Sequence, residues 1–551
     1  MSNILKYGID FGTTNSSISI IDTTDPDFPR ARVLEVDRYE SPFEILRSVV
    51  AYKGSDIFVG NEGLEQVLGS EDNPARQVKL DLLNAQKDGY CFTYNGKKIY
   101  YSDIMGEIFR RLRVRAETQI GSDKPDGVIV GVPYETPADV KNVYITALIK
   151  AGFYCDLETA YANTEFLEEP VAVAIFYGTQ IAHQNRYSLV VDYGGGTMDM
   201  AIVRLNSHGE KHEIIAKEGY EGAGEKMTAL LFSKVFLPAY AERYFEGNRV
   251  AAMKVFKKMG YNARTLDGMW NELGKTGGLG WKFINELDRA KQKLSTESEC
   301  VFAFHVAETD YNPEIRIDNV VLKRAEFEEA ISSELEEIGV AVNRMFASKK
   351  CKINDITKSS IDEVLLAGGS SIIPSVREKL ADIFGKEKIH FDETTQGGYL
   401  INVMTGISQG LAWFGYRPDH NMRVDDITSF DYGIYDRIND RLEVVLEKGT
   451  KLSAASASLF TGHRLPPENY VYYREIYHKD KDLPFFYVEI TEGDRIVKTL
   501  HFNKAKHSGC YRLFFAIDER RGLIEVHVYD TINAEWIEDL PLGDRSIEMR
   551  E

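Results

Sequence analysis

Cysteine is scarce and scattered. The 551 residues hold five, Cys91, Cys155, Cys300, Cys351 and Cys510, none in C-x-x-C spacing. That excludes a disulfide framework and a thiolate zinc site; the pattern reads as reduced thiols in a cytoplasmic protein. No apolar run reaches the roughly 18 residues that cross a bilayer. The opening residues Met1 to Lys6 lack the basic region and apolar stretch of a signal peptide. Positive charge is also in deficit, 66 Lys and Arg against 85 Asp and Glu, for a net charge of −19 with no basic run. Such a surface repels phosphate backbones and anionic lipid, so neither nucleic acid nor membrane is an expected partner. What is present is the balance of a globular protein, 43% hydrophobic and 27% charged. Its length allows about three or four domains.

One pattern occurs twice. Residues 7–21 and 189–203 each read as an apolar strand closing on an aspartate, a Gly/Thr turn and a second β-rich strand. Asp10 and Asp192 are the two aspartates. The repeat predicts two related α/β lobes facing each other, about 1–187 and 188–415, each presenting the same turn. Between the copies, Val128–Pro133 reads as a buried strand. Val140, Val143, Tyr144, Ala147 and Leu148 recur at helical spacing, with Gly152 placed as a stop. Further on, residues 364–369 form another strand and turn before a helix from Pro374. Strands alternating with helices predict a mostly parallel, covered sheet in each lobe. Residues 416–424 are turn-rich and read as a linker. Beyond them the helical period disappears. Strand-like runs at 471–477, 485–490, 496–500, 511–517 and 523–529 predict an all-β sandwich over 425–551, with a hairpin loop at 518–522.

The first turn runs Asp10-Phe11-Gly12-Thr13-Thr14-Asn15. Gly12 lets backbone approach an oxyanion; the N–H groups beyond it and the Thr13 and Thr14 hydroxyls can donate to phosphate oxygens. Asp10 can hold Mg²⁺ directly or through its waters. A plain hairpin with a polar turn fits this copy equally well. The second copy, Asp192-Tyr193-Gly194-Gly195-Gly196-Thr197, has more glycine than a hairpin needs, a costly run unless something approaches it closely. Thr197 and Asp199 add a hydroxyl and a carboxylate. Two opposed Asp-Gly-Thr turns can clamp a polyphosphate and its metal.

These segments, together with Val364–Pro374, resemble the phosphate and adenosine motifs of the actin-like ATPase superfamily, and within it the 70-kDa heat-shock chaperone family. Phe166–Ala174 is similar to that family's connecting helix, Asn-Glu-Pro-Thr-Ala-Ala-Ala, and Lys323–Glu328 to its Thr-Arg-Ala-Arg-Phe-Glu. The resemblance implies an actin-like (ribonuclease H-like) two-lobed ATPase domain followed by a β-sandwich, with ATP/ADP and Mg²⁺ as cofactors. It implies that Asp10 and Asp192 hold the metal and its waters. Gly12, Thr13, Thr14, Asn15, Gly194, Gly195, Gly196 and Thr197 would contact phosphates. Lys79, Glu169, Asp199 and Thr197 would act in catalysis, the two carboxylates orienting the attacking water. Lys79 also reads as a surface lysine and Glu169 as a helix cap. Leu287–Ser295 resembles the family's Glu-Arg-Ala-Lys-Arg-Thr-Leu-Ser, which would bring Asp288, Lys291 and Ser295 to the ribose and base. Without the family the same stretch is a solvated amphipathic helix. Gly368, Gly369 and Ser370 would approach the nucleoside, although a Gly-Gly after a strand is more often a turn.

Departures accompany the resemblance. Ile372 stands where the family has an adenine-stacking arginine, so cation–π support is lost. The acidic-leucine linker is replaced by Asn421–Val424, and neither a helical lid nor an acidic tail is expected after the β module. The expectation is a slow ATP hydrolase of chaperone type. Its lid-less β domain would bind unfolded or extended polypeptide, with co-chaperones as further partners. Two alternatives on the same fold stay open at this point: a regulatory or filament-forming ATP-binding protein, and a small-molecule kinase.

Overall fold

The computed structural model describes residues 6–24, 29–66, 73–75, 78–121, 125–180, 186–205, 212–258, 277–307, 314–390, 395–396, 399–416, 424–436, 441–452, 471–477, 485–503, 510–518 and 523–537. The chain divides into two compact units. One comprises residues 1–210 and 216–422, the other 211–215 and 423–551. Residues 417–423 of the expected linker and 519–522 of the expected hairpin loop lie outside the described residues.

The first unit carries two large sheets of matching design. In one, Thr164–Glu168, Gly127–Val132 and Lys6–Phe11 run parallel. Lys6–Phe11 then turns back antiparallel into Asn15–Asp22, which pairs with Arg30–Val33 and Leu46–Arg47. In the other, Ile389–His390, Glu363–Ala367 and Arg186–Tyr193 run parallel. Arg186–Tyr193 turns back into Thr197–Leu205. The strand His212–Glu221 follows, its residues from Ala216 onward belonging to this unit. The expectation of mostly parallel sheets is thus corrected: each sheet is mixed, because the repeated hairpin contributes antiparallel strands beside a parallel trio. The central strands are buried along nearly their whole length, as expected of strands covered on both faces.

Helices over Tyr101–Ile120 and Ala138–Lys150 cover the first sheet. Phe11, next to Asp10, meets Phe109 and Tyr144 edge-on at 5.5 and 5.9 Å, which locks the strand end that carries the aspartate. The helix Ile401–Gly415 also packs against Lys6–Phe11, Asn15–Asp22 and the helix Glu169–Gln180. The expected division at 188 had assigned it to the second lobe by its place in the chain. In the other half, Phe283 of the helix Gly277–Thr296 packs into an aromatic cluster with Phe232, Phe236, Phe256 and Phe302.

The second unit holds two four-stranded antiparallel sheets. One orders Arg441–Leu446, Tyr432–Asp436, Phe485–Glu492 and Arg495–Asn503; the other orders Tyr473–Tyr477, Cys510–Asp518, Leu523–Asp530 and Glu535–Trp536. Alternate residues of both sheets enter one core, among them Ile434, Leu446, Phe502, Leu513, Phe515 and Val528. The Phe502 and Tyr511 rings meet across it at 4.6 Å. His212 and Glu213 join this unit by parallel pairing with Val424 and Asp425, and Lys451 pairs with Glu213 at 2.7 Å.

Candidate active site

The chemistry-bearing residues of the first unit gather where parallel strands end. Asp10 stands one residue before the end of Lys6–Phe11, and Asp192 in the same place on Arg186–Tyr193. Glu168 ends Thr164–Glu168, and Glu169 opens the helix Glu169–Gln180. Gly368 follows Glu363–Ala367. In open α/β sheets the carboxyl ends of strands are where crevices form, and here two such ends face each other.

The two turns meet. A Cβ on Gly195 would lie 2.3 Å from the Thr14 hydroxyl, and one on Gly196 2.6 Å from that of Thr13. Gly194 N–H closes the second turn on Thr197 O at 2.9 Å. Asp10, Gly12, Thr13, Thr14, Asn15, Lys79, Glu169, Asp192, Gly194, Gly195, Gly196, Thr197, Asp288, Lys291, Ser295, Gly368, Gly369 and Ser370 all line one cavity of about 800 Å³, the size range of a small-ligand site. Asp199 is the exception among the expected residues. It is buried behind the turn and accepts from the Tyr134 N–H at 3.1 Å.

Around the two turns charge is unbalanced. Asp10, Glu169, Asp192 and Asp199 are all nearly inaccessible. Lys79, also buried, is ion-paired with Glu169, so it is no surface lysine. Burial opposes the Lys79 ammonium, but Glu169 outweighs this and holds its pKa above the usual lysine range. Burial and the Glu169 charge push Asp10 up to about 7, and the same two causes push Asp199 up to about 7. Asp192 is raised well above the carboxylate range, by burial first and then by Glu169 and Asp199. Asp10 Oδ1, Asp192 Oδ1 and Asp199 Oδ2 are buried without a hydrogen-bond partner. Such oxygens are costly to leave bare and suit a hard cation, which prefers oxygen ligands. Among the described residues no three acidic, histidine or cysteine side chains converge tightly enough to hold an ion by themselves. The residues therefore fit a magnesium ion that keeps several of its waters.

On the far wall the helix Gly277–Thr296 presents Asp288, Lys291 and Ser295. Their polar ends are engaged by the protein. Asp288 Oδ1 accepts from Thr228 Oγ1 at 2.9 Å and pairs with Lys291 at 2.8 Å. Lys291 also donates to Gly224 O at 2.9 Å, and the Ser295 hydroxyl donates to Lys291 O at 3.1 Å. Gly368 has φ 78°, and a Cβ there would meet Tyr193 O at 2.4 Å and Asp192 Oδ1 at 2.5 Å. Its bare backbone thus makes room for the Asp192 carboxylate. Ser370 Oγ donates to Gly194 O at 2.7 Å, and Ile372 lines the cavity.

Sequence reasoning missed Thr228, Arg47 and Tyr134. Arg47 lies 3.8 Å from Asp288. None of the three sits in a motif, and Tyr134 acts through a backbone N–H, so no local signal marks them.

Paired mixed sheets that bring two like turns onto one cavity define a bilobal α/β unit. The family model for the Hsp70 protein matches residues 71–226 and 280–465, more than half of the chain. The chain belongs to the Hsp70 family, whose members are ATPases that typically act as chaperones on unfolded polypeptide. No helix among the described residues is long and apolar enough to cross a membrane.

Proposed function

We propose that this chain binds Mg-ATP between two actin-like lobes and hydrolyses it slowly, coupled to the binding of extended polypeptide by its β unit. The observation that carries the reading is the meeting of the two turns beside buried carboxylates, three of which leave an oxygen without a hydrogen-bond partner. A nucleotide polyphosphate supplies the acceptors for Thr13, Thr14, Thr197 and the turn N–H groups, and magnesium supplies the positive charge that Asp10 and Asp192 lack.

Phosphoryl transfer asks for positioning and charge neutralisation more than covalent chemistry. Lys79 brings a fixed positive charge to the cavity. Glu169, held by Lys79, and Asp199, held by the Tyr134 N–H, are oriented to align a water for attack on the terminal phosphorus. With its pKa raised toward neutrality, Asp199 can take up a proton near physiological pH. Asp288, Lys291 and Ser295 face the nucleoside, and the engaged state of their side chains means that ribose must exchange partners with Thr228 and Gly224. In the β unit an edge strand of either antiparallel sheet, such as Arg441–Leu446 or Tyr473–Tyr477, would pair with an extended backbone.

The test is ATP turnover by the full chain with and without a permanently unfolded polypeptide, beside the affinity for that polypeptide with and without ATP. Coupling is reciprocal, so the reading predicts stimulated turnover together with an ATP-dependent affinity. Turnover indifferent to polypeptide but raised by a sugar would favour a kinase, and light scattering that grows with ATP would favour a filament.

A further inference from the structure

Beside Glu169, outside the cavity lining, stands an ion pair that the catalytic assignment does not use. Lys217 Nζ lies 2.7 Å from Glu168 Oε2, with side-chain exposures of 1% and 13%. The two residues come from opposite sheets. Lys217 is on the strand His212–Glu221, and Glu168 is the last residue of Thr164–Glu168. Glu168 also directly precedes Glu169. Two successive carboxylates at one strand-to-helix junction are therefore held by two different lysines, Glu169 by Lys79 and Glu168 by Lys217. The family motif quoted above has asparagine where this chain has Glu168, so the charge at this position departs from that motif.

Next to the pair lies a second tie between the sheets, the Tyr134 N–H on Asp199 Oδ1. Two residues beyond Lys217, a Cβ added at Gly219 would sit 3.3 Å from the Tyr134 ring and 3.5 Å from Asp199 Oδ1. The segment 217–219 thus borders both ties. A buried ion pair is weak evidence for net stability, because desolvation offsets much of the attraction, but removing one partner leaves an uncompensated charge and is strongly felt. Its best-attested service is to specify one geometry.

We infer that Lys217 and Glu168 are positioning residues: their ion pair sets the spacing of the two sheets at which Glu169 and Asp199 bear on one reacting centre. The pair touches neither cavity nor ligand; it acts through Glu169 on one side and Asp199 on the other. The inference rests on the hydrolytic reading for its effect on rate, though not for its effect on structure.

Two measurements on the full chain test it. The first is amide exchange of residues 134–136 without nucleotide, followed by mass spectrometry. Lys217→Met keeps the bulk and removes the charge, and should speed exchange of this segment while leaving the segment around Val128–Val130 unchanged. Glu168→Gln, a milder change, should do the same. The second is ATP turnover. Misplacing catalytic groups by about an ångström can cost up to about a hundredfold, so both single variants should lose about tenfold to a hundredfold in kcat with a much smaller change in KM. The reversed pair, Glu168→Lys with Lys217→Glu, should recover much of both losses. Unaltered exchange in folded single variants, or a reversed pair no better than either single variant, overturns the inference. Faster exchange in a chain that turns over no ATP supports the tie and rejects the hydrolytic reading instead.

Discussion

The two Asp-Gly turns of the first unit are alike in backbone and opposite in side chains. The first carries Thr13 and Thr14 beyond a single glycine. The second carries three glycines before Thr197. The sequence alone suggests that a glycine run makes room for a ligand, but the structure adds a nearer reason. The hydroxyls of Thr14 and Thr13 occupy the space where Cβ atoms of Gly195 and Gly196 would stand, at 2.3 and 2.6 Å. One turn supplies side chains and the other supplies room for them. The halves of the molecule are therefore complementary at this point rather than merely repeated, and a ligand clamped here meets donors from both.

The largest effect on this comparison comes from the carboxylates. Asp192→Ala should lower ATP turnover by about 10²- to 10³-fold, the scale of losing a key electrostatic group, and Asp10→Ala should do the same in a steady-state assay. Unequal losses would show that one half dominates. Next comes the fit of the turns. Gly195→Ala should weaken ATP binding measured by titration, because backbone or Thr14 must move, and adding Thr14→Ala should restore part of the loss. If Thr14→Ala deepens it, the hydroxyl serves the ligand more than the fit.

The smallest effect is on stability. Burial and Glu169 raise Asp10 and Asp199 from 3.8 to about 7. The folded chain then holds protons that the unfolded chain releases, so stability is highest below pH 3.8 as far as these two groups are concerned. It falls as pH rises toward about 7. Thermal unfolding of the nucleotide-free chain should show this loss over that window, and Asp10→Asn should flatten it. Adding magnesium and ATP should raise the melting temperature more at pH 8 than at pH 6.

Much of this arrangement was legible in the sequence because it is local. The helix expected from Val140 to Leu148 spans Ala138–Lys150, with Gly152 at φ 79° just beyond. Pro374 opens the helix Pro374–Phe384, and Pro170 sits at the start of Glu169–Gln180. In each, proline or glycine chemistry fixes a boundary. Five strands of the β unit were likewise visible as strand-like runs, their observed ends differing by a few residues, whereas Tyr432–Asp436, Arg441–Leu446 and Glu535–Trp536 were not expected. What pairing decides was not legible. The antiparallel share of each sheet depends on neighbours distant in the chain. The helix Ile401–Gly415 packs on the first sheet against the expectation from chain order. Lys217 and Glu168, 49 positions apart, form a pair that no spacing rule anticipates.

The most direct measurement is hydrogen exchange of the full chain with and without Mg-ATP, read on the two turn segments, residues 8–15 and 192–199. Slowed exchange in both segments together, at the same nucleotide concentration, is the predicted result. Protection of one turn alone, or of neither while ATP is bound, would contradict the account.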